Sequence, residues 1–167
     1  MRTAIILLCA AGALAMVCIA ESAAGLAWTA PAGWTSKGAT SMRAATYAVG
    51  DAECVVYFFG QGQGGSVEAN MARWGGQFTV NGQPAPAKTA KKAIHGLNVT
   101  TMDVTGTYAG MSGPMMTPDA PKADTRMLAA IVEGPGGNIF LKFTGPAKTI
   151  AANQQKYEMM LSSIHKE

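Results

Sequence analysis

Apolar positions fall along the chain in three patterns: one continuous run, several short alternating stretches, and two stretches at helical spacing. The continuous run, Ala4–Ala20, has Gly12 as its only residue outside the apolar set, and Arg2 is the only charge ahead of it. Behind it, Leu26–Thr29 predicts a short strand stopped by Pro31, with Trp34 following a turn at Gly33. Arg43–Val49 and Glu53–Phe59 predict two strands joined at Gly50-Asp51. The second has apolar residues on both faces, Val55, Tyr57 and Phe59 on one and Cys54, Val56 and Phe58 on the other. A strand wet on one side alternates, so this pattern predicts a central strand covered on both sides.

After a glycine loop, Ser66 is placed to cap a helix, with Glu68 in the first turn where the macrodipole favours an anion. Val67, Met71, Trp74 and Phe78 then recur at helical spacing, and Gly75-Gly76 frays the end. Lys88–Ile94 pairs with Leu97–Thr105 around His95-Gly96, and Arg126–Glu133 with Asn138–Thr144 around Gly134-Pro135-Gly136-Gly137. Pro146 starts a last helix in which Ile150, Tyr157, Leu161 and Ile164 share a face. Hairpin connections of this kind predict an α+β fold. Its antiparallel sheet would have about six or seven strands, with a helix on each face, an α/β/α sandwich.

The chain has 167 residues, a length suited to one domain. The N-terminal run predicts a signal peptide over residues 1–24, because Ser22 and Ala24 put small side chains before a cut at Gly25. Gly25 and Ala27 offer a second cut, before Trp28. A lipoprotein signal at Cys18 is disfavoured, since Val17 is bulkier than the small residue such a signal carries there. The expectation is therefore an exported chain, periplasmic or extracellular, with one globular domain over 25–167 and no membrane contact beyond the leader. Cys54 is the only cysteine of that domain, so no internal disulfide holds it. Among Val55, Val56 and Tyr57 its thiol reads as buried and inert. A net charge of +3 is too weak to suggest nucleic acid.

An aromatic strand followed by Pro and Gly-Trp (Trp28, Pro31, Gly33-Trp34), one helix in the first half, a run of strands and a C-terminal amphipathic helix together resemble the PsbP-like fold. That group includes the lumenal extrinsic protein of photosystem II, the eukaryotic Ran-release factor and many secreted bacterial proteins. The stretch from Glu53 through Trp74 is similar to small secreted bacterial proteins in particular. The resemblance covers most of residues 26–164 and lies in element order rather than in a motif. It implies an α/β/α sandwich and a non-enzymatic habit of binding proteins or ligands, and it assigns no residue a role.

Gly60, Gly62 and Gly65 spell G-x-G-x-x-G between a predicted strand and a predicted helix. The acidic residue that a dinucleotide site needs about 20 positions on is missing, as residues 69–102 contain no Asp or Glu. The loop therefore reads as a tight turn, and Gly62, Gly65 and Ser66 remain as anion or ligand contacts at a helix start. Met111, Met115 and Met116, in a proline-rich loop, form with Trp34 the candidate contact for a partner. Neither His95 nor His165 has a neighbouring Cys or carboxylate at metal or triad spacing, so no catalytic, cofactor or metal site is predicted. The leading expectation is a non-enzymatic adaptor for another envelope or secreted protein. The alternative is a small-ligand or anion-binding module using the loop 60–66.

Overall fold

In a computed structural model, the described residues are 20–112, 117–118 and 120–167. Most of the predicted leader, and Met115 and Met116, lie outside them. The first strand, β1 (Ala20–Ala23), pairs with β2 (Leu26–Thr29) around a turn at Ala24-Gly25. β2 also takes β14 (His165–Lys166) on its other edge, which closes a small sheet of three strands.

The large sheet is built from hairpins. β3 (Thr35–Ser36), β4 (Arg43–Val49) and β5 (Ala52–Phe58) run in order. β5 then pairs with β13 (Gly137–Pro146), β13 with β12 (Lys122–Gly134), and β12 with β9 (Leu97–Tyr108). β9 is long enough to hold two partners. Its first half pairs with β8 (Lys88–Ile94), its end with β6 (Phe78–Val80), and β6 carries β7 (Gln83–Pro84). Every pairing is antiparallel, and the β12–β13 hairpin closes at Gly134↔Gly137 with Pro135 and Gly136 at its tip. Beyond β9, β10 (Met111–Ser112) pairs with β11 (Thr117–Pro118).

Two helices pack on this sheet. α2 (Ala147–Ser163) buries Ile150, Tyr157, Met160 and Leu161 against Cys54, Val56, Leu141, Phe143, Trp28 and Tyr47. α1 (Val67–Gly75) starts as expected, with the Ser66 hydroxyl accepting from Ala69 N–H at 3.1 Å. It buries Met71 and Trp74 with Phe78, Met102, Met127, Ile131 and Phe140 on the opposite face.

Two expectations are corrected here. The large sheet has nine strands among the described residues, not six or seven, because two- and three-residue strands extend both edges. Nor do the helices cover both faces. A nine-residue helix is roughly 14 Å long and about 10 Å wide, whereas the sheet, eight strands across because β6 and β8 share one edge of β9, spans about 35 Å. α1 therefore covers one end of its face, and on that face no helix among the described residues lies over β4, β5 and the far part of β13.

Candidate functional site

The uncovered part of the sheet is floored by alternate residues of β5 and β13: Glu53, Val55 and Tyr57 from one, Phe140, Lys142 and Thr144 from the other. Register sets Lys142 opposite Val55 and Phe140 opposite Tyr57. α1 forms one wall through Arg73 and Trp74, and the chain leaving β9 and entering β12 forms the other through Tyr108, Lys122 and Ala123. Two cavities lie along this trough, of about 570 Å³ and about 610 Å³, and both are lined by Tyr57 and Lys142.

One end is aromatic. Tyr57 and Phe59 stack with ring centres 5.8 Å apart, Phe59 meets Phe140 at 5.4 Å, and Trp74 stands edge-on to Phe140 at 6.4 Å. Trp74 and Phe140 are buried, but Phe59 is 37 % exposed, which places an aromatic edge at the surface. The other end is polar, with Arg43 paired to Glu53 at 3.0 Å and its guanidinium 5.6 Å from the Tyr57 ring centre.

Lys142 sits between the two ends. Its ammonium lies 5.6 Å from the Trp74 ring centre, a cation–π distance. Among the described residues it has no ion pair and no hydrogen bond to a carboxylate. Burial pulls its pKa down from 10.5 to about 8, and the positive charges of Arg73 and Arg43 add to the effect. Burial also raises the Tyr57 phenol, against the opposing pull of Arg43. A half-buried charge without a counter-ion is costly to keep. Gln77 lines the same aromatic cavity, and its Oε1 atom is buried and accepts no hydrogen bond among the described residues.

The residues singled out from sequence lie elsewhere. Gly62 and Gly65 turn the loop at φ of 71° and 80° and are spent on geometry. Asn70 Nδ2 donates to the carbonyls of Gly64 and Ser66, and Arg73 donates to Asn70 Oδ1, so the loop is tied to α1. A cavity of about 670 Å³ does open beside Ser66, but Glu68 and Glu133 line it along with Lys91 and Lys92. Trp34 is corrected from surface to core. Its ring packs 5.0 Å from Phe143 and 6.0 Å from Tyr47, and Nε1 donates to Asn153 Oδ1 on α2 at 3.4 Å. Met111 begins β10, while Met115 and Met116 fall outside the described residues.

Sequence reasoning passed over Lys142, although a signal was present. It is the one charged residue within Ile139-Phe140-Leu141-Lys142-Phe143, on a strand whose neighbours are apolar on both faces. Among the described residues no group of three His, Cys, Asp or Glu gathers to hold a metal, and no helix is long and apolar enough to cross a membrane.

No protein-family model and no curated protein matches the chain. Among solved structures, the solution structure of cyanobacterial PsbP (CyanoP) from Synechocystis sp. PCC 6803 superposes with a TM-score of 0.54 at 13 % identity, over 96 % of this chain and 98 % of that one. An alignment of that extent at so low an identity is a likeness of architecture, reaching both helices and the sheet. The chain has a PsbP-like fold.

Proposed function

We propose that this chain is an exported, non-enzymatic adaptor that binds another envelope or secreted protein through the trough on the helix-free part of its sheet. The observation that carries the reading is Lys142, an ammonium without a counter-ion among the described residues, held against Trp74 on a floor of aromatic rings. Such a group weakens the free fold and gains most when a partner supplies the missing anion. On the α2 face the cavity beside the helix, lined by Thr89, Met102, Tyr157 and Leu161, is smaller, about 230 Å³. A second reading, a small anionic ligand, is supported by the size of the aromatic cavity, about 570 Å³.

The test is a photo-cross-linking amino acid placed at Phe59, at the trough edge, and at Met159, which is 65 % exposed on α2. In the organism's envelope or secreted fraction, the account expects one discrete protein adduct from position 59 and none from position 159. Adducts at both positions, or at neither, would contradict it.

A further inference from the structure

We propose that the occupant of the trough is an extended segment of the partner that carries a carboxylate beside a large apolar side chain. This rests on the partner-binding reading and specifies its chemistry. Two features of the site converge on such a segment, and the two cavities that share Tyr57 and Lys142 give it an elongated bed.

The charge asks for an anion. Lys142 has no counter-ion among the described residues, and Arg73 stands on the same wall. A carboxylate brought to that ammonium makes a charge-assisted hydrogen bond where water is partly excluded. The rings ask for apolar surface within reach of that anion. Phe59 presents an exposed edge against Phe140, and Lys142 itself lies over Trp74, so charge and apolar contact belong to one site. An inorganic anion would answer the first feature alone. A neutral apolar ligand would answer only the second.

The probe is an N-acetylated, C-amidated hexapeptide, Gly-Ser-Leu-Asp-Phe-Ser, titrated into the ¹⁵N-labelled protein, with an analogue carrying Asn for Asp. The expected result is perturbation of the Gln77 side-chain amide and of the Phe59 and Lys142 backbone signals. The Asp peptide should bind about tenfold tighter than the Asn analogue, as a charged hydrogen bond to a partly desolvated ammonium implies. Lys142→Met should abolish that preference and Lys142→Arg should retain it, with the remaining spectrum of each variant reporting that it is folded. Equal binding of the two peptides, or an undiminished preference in Lys142→Met, would overturn the inference, as would no perturbation at millimolar peptide. The two levels separate cleanly. A partner adduct at Phe59 that survives Lys142→Met leaves the adaptor reading standing and removes the acidic segment. An Asp preference without any partner adduct does the reverse.

Discussion

The Tyr47 hydroxyl donates to Glu21 and accepts from Trp28 Nε1 at 2.8 Å, inside the core beneath α2. Burial and the adjacent carboxylate push the phenol far above its ordinary range, so it stays protonated and keeps donating. Glu21 belongs to β1, and the predicted leader cut before Gly25 would remove it together with the whole strand.

A chain beginning at Ala20 is therefore expected to melt several degrees above one beginning at Gly25. Loss of one partner of a buried hydrogen bond costs about 1–3 kcal/mol, and the shorter form also loses the β1–β2 pairing. Thermal unfolding of the two purified forms decides this. Equal midpoints would show that Glu21 and β1 contribute nothing, and a leader ending at Ala24 would then cost the fold nothing.

Cys54 is completely buried, and burial drives its thiol far above the ordinary range, with the charge of Glu53 adding to it. Tested in a chain in which Cys9 and Cys18 are replaced by Ser, a thiol reagent should label Cys54 only in denaturant. Cys54→Ser should lose about 1–3 kcal/mol, because an apolar layer offers the hydroxyl no partner. Rapid native labelling would contradict the burial.

Within the glycine loop the positions are unequal. A Cβ at Gly62 meets nothing within 4 Å, whereas one at Gly64 would stand 2.7 Å from the Phe140 ring and 2.9 Å from Phe59. Both have positive φ, so each Ala substitution carries about 1–2 kcal/mol of backbone strain. Gly64→Ala should cost more, and it should also displace the aromatic end of the trough. Urea unfolding of the two variants measures the order, and a larger loss for Gly62→Ala would contradict the packing.

Lys142→Met is expected to raise the melting temperature at neutral pH, since it removes an uncompensated charge and keeps the side chain's bulk. The gain should depend on pH. Below about 8 the lysine is protonated both folded and unfolded, and the folded state bears the full cost of the buried charge. As pH rises through about 8, the folded protein releases its proton while the unfolded chain holds it up to 10.5, so the wild type gains stability and the difference narrows. The groups facing Lys142 are Arg73 on α1, Arg43 on β4 and Tyr57 on β5, and burial raises the Tyr57 phenol above its ordinary value. Melting curves from pH 6 to pH 10 would show this, and a constant difference would contradict it.

Much of the framework was legible because it is local. Arg43–Val49 and Lys88–Ile94 match β4 and β8 residue for residue, and Ser66 caps α1 as its position implied. The short strands were not, since β3, β6 and β7 are defined by a partner rather than by their own pattern. The coverage of β5 was legible only in part. Val55 is buried as its pattern implied, but the same pattern in Tyr57 and Phe59 does not reveal that a helix of nine residues stops short of them. Trp34 shows the opposite error, because a tryptophan in a Pro-Gly turn looks displayed until Asn153 and Phe143 draw it under α2. Lys142 needed the third dimension. Its strand announces it, but only the sheet's register and the reach of α1 show that no described residue supplies its counter-ion.

The account turns on Lys142 standing half-buried among aromatic rings without a counter-ion among the described residues, and the titration of its ammonium group tests that most directly. With ¹³C,¹⁵N-lysine in the full chain and the signal assigned by Lys142→Met, the expected midpoint is about 8, and an acidic peptide should shift it upward. A midpoint near the ordinary 10.5 would mean a solvated or already paired lysine, and the trough would then lose the feature that makes it a binding site.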